Sequence, residues 1–141
     1  MTLRNLLIIA LVIVGGLLAI QLIPYGHAHP NPPITAEPVW SSPDAKALAV
    51  RACFDCHSNE TTWPWYSSIA PFSWLVVHDV QEGRETLNFS EWDRPEQRLR
   101  EIAEVLREGE MPPVYYRWTH PNAGLSAVEK SQLEQELAAL R

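Results

Sequence analysis

The pentapeptide Cys53-Phe54-Asp55-Cys56-His57 constrains this chain more than any other feature, because two thiols three residues apart followed at once by an imidazole form the attachment signature of c-type haem. On a helical turn, positions i and i+3 share a face. Cys53 and Cys56 can therefore reach one porphyrin edge and form thioethers with its two vinyl groups. His57, the next residue, is then held under the ring as proximal iron ligand. A buried structural pair, a redox dithiol or half of a zinc site would use the same cysteine spacing. A structural zinc site needs four ligands, however, and the chain has neither a third cysteine nor a His-x3-5-His pair. A thioredoxin-like dithiol needs a βαβ context, and no convincing strand alternation is visible. Covalent haem is the reading that uses all three residues.

From Leu6 to Ile23 run eighteen residues without a charge. As a helix they would extend about 27 Å, close to the hydrocarbon core of a bilayer. Arg4 is the sole basic residue before this run, and Pro24 to Ala45 contains no Lys or Arg, so the positive-inside bias places the N-terminus in the cytoplasm and the rest outside it. Gly26-His27-Ala28 offers a small-x-small cleavage site that would leave a mature chain starting at His29. The apolar run is longer than a usual signal core, which favours a retained anchor over residues 1–23, single-pass in the inner (cytoplasmic) membrane, with the following domain on its periplasmic or extracytoplasmic side.

Residues 24–41 read as a stiff, proline-rich linker, with Pro30, Pro32, Pro33 and Pro38 each fixing φ and removing a donor. His27 and His29 are spaced like a weak metal site, although histidines in a linker are usually just solvated. Residues 42–141 then make one domain with a modest core that a haem would enlarge.

Helical periodicity dominates that domain. Ser42, with Pro43 behind it, caps a first helix whose Ala45, Leu48, Ala49, Ala52, Cys53 and Cys56 recur at i, i+3, i+4, i+7, i+8 and i+11, so both cysteines are expected on its apolar stripe. A second helix, Phe72 to Arg84, is apolar on nearly all sides through Val77 and is expected in an interior. A third follows Asp93, with Pro95 and Glu96 in its first turn, Leu99, Ile102, Ala103 and Leu106 on one face, and Gly109 at its end. Ser126 and Glu129 form a capping box for a fourth, lined by Leu133, Leu137 and Leu140. The expected architecture is all-α: a small cytochrome c-like domain of about four helices around one haem, behind a single transmembrane helix.

The sixth iron position sets potential and reactivity. Met111, the only methionine besides Met1, precedes Pro112 and Pro113, which hold it in an extended loop suited to a thioether ligand. His78 on the second helix is the main rival, His120 a weaker one, and an open site a further possibility. The six tryptophans and the tyrosines near the motif suit a porphyrin face and its propionates, for which Arg84 or Arg51 are candidate partners, though aromatics are also ordinary core material and surface arginines are commonly just solvated.

The run from Cys53 through Trp63-Pro64-Trp65-Tyr66, the segments Pro71-Phe-Ser-Trp74, Glu82-Gly-Arg84 and Leu87-Asn-Phe-Ser-Glu-Trp92, and Gly109-Glu-Met-Pro-Pro113 with His120-Pro121 resemble the bacterial haem-binding domain family, small exported monohaem c-type proteins. The resemblance covers nearly everything from Ser41 onward. It implies haem c on Cys53 and Cys56 with His57 as ligand, but names no partner; Met111 as sixth ligand is an analogy with cytochromes c.

These features point to a membrane-anchored electron carrier, with a haem-based sensor or peroxidase-like protein as the alternative if the sixth position is open. No constellation of nucleophile, base and oxyanion donors supports an enzyme. Ten of the eleven basic and all seventeen acidic side chains follow the apolar run. So acidic a domain disfavours nucleic acid and favours a redox partner protein with a basic docking face.

Overall fold

The computed structural model describes residues 2–94 and 99–140. Among them are seven α-helices and no strands. The chain divides into two compact units, one formed by the residues up to His29 together with Trp63–Asp79, the other by Pro30–Thr62 together with the residues from Val80 onward.

The first unit begins with α1 (Leu3–Ile20), whose first turn is capped by the Thr2 side chain. This helix is long and apolar enough to cross a membrane, and none of it is buried. Its C-cap residue, Gln21, reaches a peptide far along the chain: the amide Nε2 donates to Ala70 O at 2.9 Å, and Ala70 N donates to Gln21 Oε1 at 3.0 Å. Gly26 follows at φ +85, and a Cβ there would lie 2.8 Å from the Ser73 carbonyl carbon, so both conformation and space exclude a side chain. His29 donates from Nε2 to Ser67 O at 2.8 Å and stacks on Trp63 with ring centroids 4.6 Å apart. The imidazole is thus engaged in local structure rather than held with His27 as a metal pair.

A 3₁₀ turn at Trp65–Ser68 leads to α4 (Phe72–Thr86), which gives its first eight residues to this unit and the rest to the other. The expectation of an interior helix is corrected here. Ser73 and Val77 are buried, but Phe72 is 58% and Leu75 45% exposed. An α-helix turns a new face outward every few residues, so a run apolar on all sides needs neighbours all round to be buried, and α4 buries only one stripe.

The second unit holds α2 (Pro43–Ala52), α3 (Phe54–His57), α5 (Leu99–Glu108), α6 (Val114–Thr119) and α7 (Ala127–Ala139). Ser42 caps α2, its Oγ accepting from Ala45 N at 3.1 Å. Ala45, Leu48, Ala49 and Ala52 are buried along the predicted stripe. The predicted box closes α7: Ser126 Oγ accepts from Glu129 N, and Ser126 N donates back to the Glu129 carboxylate. Helix α7 packs on α5 and α2, joining Leu48, Phe54, Leu87, Phe89, Leu106, Leu133, Leu137 and Leu140 in one core. Phe89 stacks between Phe54 at 5.2 Å and Trp92 at 5.9 Å. Buried Glu136 of α7 accepts from Ser41 N at 2.7 Å and from the Ser41 hydroxyl.

On α5, Ala103 and Leu106 are buried and Ile102 packs against the core, while Gly109 at φ +82 ends the helix. Pro95, Glu96 and the Leu99 side chain, expected in the first turn and face of this helix, lie outside the described residues. The short helix α6 was not expected, since none of its residues is buried and no capping side chain marks its start. The proline-rich segment is docked rather than free: Thr35 N donates to Ser90 O at 2.9 Å, and Trp92 N to Ala36 O at 3.1 Å.

Candidate functional site

The Cys53–His57 run does not continue α2. Cys53 leaves helical geometry at φ −128, ψ −35, so that α2 ends at Ala52 and the single-turn α3 begins at Phe54. This corrects the expectation of one unbroken stripe. The break lets Phe54, which is off the α2 stripe, enter the core at 4% exposure, with half-buried Cys53 packed at the core's edge. The turn is closed by Cys56 N and His57 N, which donate to Cys53 O at 3.1 and 2.8 Å. Both thiols and the imidazole therefore project from one tight turn, and both cysteines are present as thiols, Cys56 also being half-buried.

The imidazole is oriented from its far side. His57 Nδ1 donates to Gly83 O at 2.9 Å and, more weakly, to Leu87 O at 3.2 Å. A ring that spends its Nδ1 proton on carbonyls leaves Nε2 as a lone-pair donor, the arrangement a metal-binding histidine needs. Burial lowers the His57 pKa, against the pull of the Leu87 and Gly83 carbonyls, and favours the neutral ring that binds metal. Desolvation pushes the Cys53 thiol up to about 12, so that it rests in its protonated form. Among the described residues no group of three or more His, Cys, Asp or Glu side chains is placed to hold a bare metal ion. The donor set fits haem: two thiols and an Nε2 lone pair on a turn braced from behind.

That brace depends on a close approach. A Cβ on Gly83 would lie 2.4 Å from Cys56 O, so only glycine lets α4 come this near to the motif. Arg84 donates from Nε to Ser58 O at 2.7 Å, and from its terminal nitrogens to Pro30 O, Asn31 Oδ1 and Thr61 Oγ1 at 2.9 to 3.0 Å. It clamps the loop after the motif to the proline-rich segment. Arg51 is paired with Glu129 at 2.8 Å. Both arginines considered as propionate partners are thus engaged within the protein.

Met111 stands on the loop between α5 and α6, 41% exposed. Helix α6, just after it, is tied to the motif, for Tyr116 Oη donates to Asp55 Oδ2 at 2.6 Å. Val114, Tyr115 and Trp118 lie on one side of α6 and are exposed, Trp118 at 78%. His78 is exposed on α4, contrary to the apolar setting expected for it. His120 stacks on Tyr116 at 4.1 Å, its Nδ1 within 3.2 Å of Tyr116 O. It lines, with Asp55, Tyr116 and Ala123, a cleft of about 380 Å³ to which neither thiol nor His57 contributes.

A family model, the haem-binding domain, matches residues 15–138. The chain belongs to this family. Comparison with curated proteins and with solved structures gave no match. As a haem-binding domain the protein carries its paired cysteines on the α2–α3 turn, and its acceptors for His57 on α4 and just beyond it. Sequence reasoning missed Gly83 and Leu87 as those acceptors and Asp55 as the partner of Tyr116. A signal existed only for Gly83, since a glycine inside a helix costs about 1 kcal/mol against alanine and so marks a close backbone approach.

Proposed function

We propose that this haem-binding domain protein is an exported, membrane-anchored monohaem c-type cytochrome that carries electrons. Cys53 and Cys56 are its thioether anchors, His57 Nε2 its proximal ligand and Met111 its sixth. The observation that carries the reading is the commitment of His57 Nδ1 to Gly83 O and Leu87 O beside two thiols on the same turn. Bound haem supplies reversible one-electron chemistry. The chain supplies the rest: the carbonyls raise imidazole basicity and fix the ring's tilt, and the Gly83 approach holds that geometry. The exposed apolar side of α6, following Met111, is the kind of surface a porphyrin face covers. The acidic side chains suit docking to a basic redox protein outside the cytoplasm.

Retention of the N-terminal helix is supported by its integration into the first unit. Cleavage before His29 would remove α1, both Gln21 bonds to Ala70 and the Gly26 packing on Ser73.

The test is the full chain matured in a host competent for c-type cytochrome assembly, examined by absorption and EPR beside Met111→Ala. Pigment that stays with the chain in acidified acetone is expected, as is loss of the methionine-to-iron band in the variant. Colourless protein or extractable pigment overturns covalent attachment. An unchanged ligand field in Met111→Ala moves the sixth position to His78 or His120. The exposure of Met111 gives the sensor or peroxidase-like alternative its one support; rapid, complete carbon monoxide binding by the reduced wild type would favour it.

A further inference from the structure

The first unit carries a second apolar surface besides α1. Between Glu60 and Asp79 the sequence has no Lys, Arg, Asp or Glu, and the whole unit contains only two formally charged side chains, Arg4 and Asp79. Within this segment Trp65 is 80%, Ile69 43%, Phe72 58% and Leu75 45% exposed, and Tyr25, just past α1, is 44% exposed. A water-facing loop and helix start of this composition would be expected to carry charges.

The position of the segment says what covers it. Gln21, the residue that ends α1, is bonded through both ends of its amide to the peptide of Ala70. Ala70 lies between Trp65 and Phe72, so this surface sits at the exported end of the apolar helix. Gly26 packing on Ser73 fixes the same relation a second time. Where a membrane helix leaves the hydrocarbon, tryptophan and tyrosine are favoured at headgroup level and aliphatic side chains just beneath.

We infer that Trp65, Ile69, Phe72 and Leu75 form a monotopic wedge, inserted into the outer interfacial layer of the same bilayer that α1 spans. The inference rests on the retained-anchor reading above. The occupant of the surface is lipid, and the wedge adds a second, in-plane contact that fixes the orientation of the first unit about its single helix.

The full-length holoprotein in phosphatidylglycerol and phosphatidylcholine nanodiscs tests it, with photoreactive benzoylphenylalanine replacing one residue at a time. The positions are Trp65, Phe72, Leu11 within α1, and the exposed Val128 of the second unit. Lipid adducts from Leu11, Trp65 and Phe72, at least tenfold above those from Val128, are expected. Adducts from Leu11 with none above the Val128 level from Trp65 and Phe72 would overturn the wedge and leave the anchor standing. Absence of adducts from Leu11 as well would remove the anchor and the wedge together. Protein adducts replacing lipid adducts at Trp65 and Phe72, when the same variants are irradiated in native membranes, would assign the surface to a partner and sink the inference. Haem content confirms that the second unit of each variant has folded, and protection of the Ala70 amide from hydrogen exchange confirms the first.

Discussion

The two units use apolar side chains in opposite ways. In the second, Phe54, Leu87, Phe89 and Leu133 are inward, each below 5% exposed, under a surface rich in Glu, Asp, Arg and Lys. In the first, Leu11, Trp65 and Phe72 are outward, and formal charge is almost absent. The same residue type is therefore enclosed by protein in one unit and left outward in the other. What decides between them is the charge pattern around each residue, not its hydrophobicity.

The sharpest way to break this contrast is to shorten one phenylalanine in each unit. Phe89→Ala removes a side chain stacked between two others, and a loss of about 3–5 kcal/mol is expected in denaturation followed by haem absorbance. Phe72→Ala in detergent should stay within about 0.5 kcal/mol of wild type, as exposed positions do. Equal losses would erase the distinction.

Gly83→Ala comes next. Its methyl meets backbone at Cys56 O, which cannot swing aside, so overpacking of about 1–3 kcal/mol is expected, together with an altered His57 ligand field by EPR. Gln21→Ala leaves the Ala70 peptide unpaired and should cost the first unit about 1–3 kcal/mol in its unfolding followed by hydrogen exchange of its amides, while the haem transition stays in place. A shift of both transitions would show that the units do not unfold separately.

The smallest effect concerns pH. The Ser126 backbone N–H first, then the Arg51 guanidinium, hold Glu129 down at about 2. A carboxyl depressed on folding adds stability above its unfolded value near 4.3, and that contribution is lost as pH falls toward 2. The thermal midpoint of Glu129→Gln should lie below wild type at pH 7 and converge on it by pH 2. A constant gap would detach the effect from ionisation.

Elements set by neighbours in sequence were legible there. Ser42 and the Ser126–Glu129 box mark α2 and α7 because caps act within one turn, and the α2 stripe follows from period alone. Helix α6 and the break at Cys53 were not legible. The first buries nothing to create a pattern, and the second answers to Phe54 meeting Phe89, thirty-five positions away. The site divides likewise. Its two thiols and its imidazole are five consecutive residues' worth of information, whereas the carbonyls that orient His57 come from 26 and 30 residues further on and have no side-chain signature. The outward turn of Phe72 and Leu75 was hidden because an apolar run looks alike whether or not protein packs on every side of it.

Glu136 holds Ser41 through both oxygens, and so joins the residue before the α2 cap to the last helix of the chain. A latch of this kind couples opening at the start of α2 to opening along α7. Amides at the start of α2 and along α7 should exchange hydrogen at one common rate, and a protease should find neither margin loose while the other is shut.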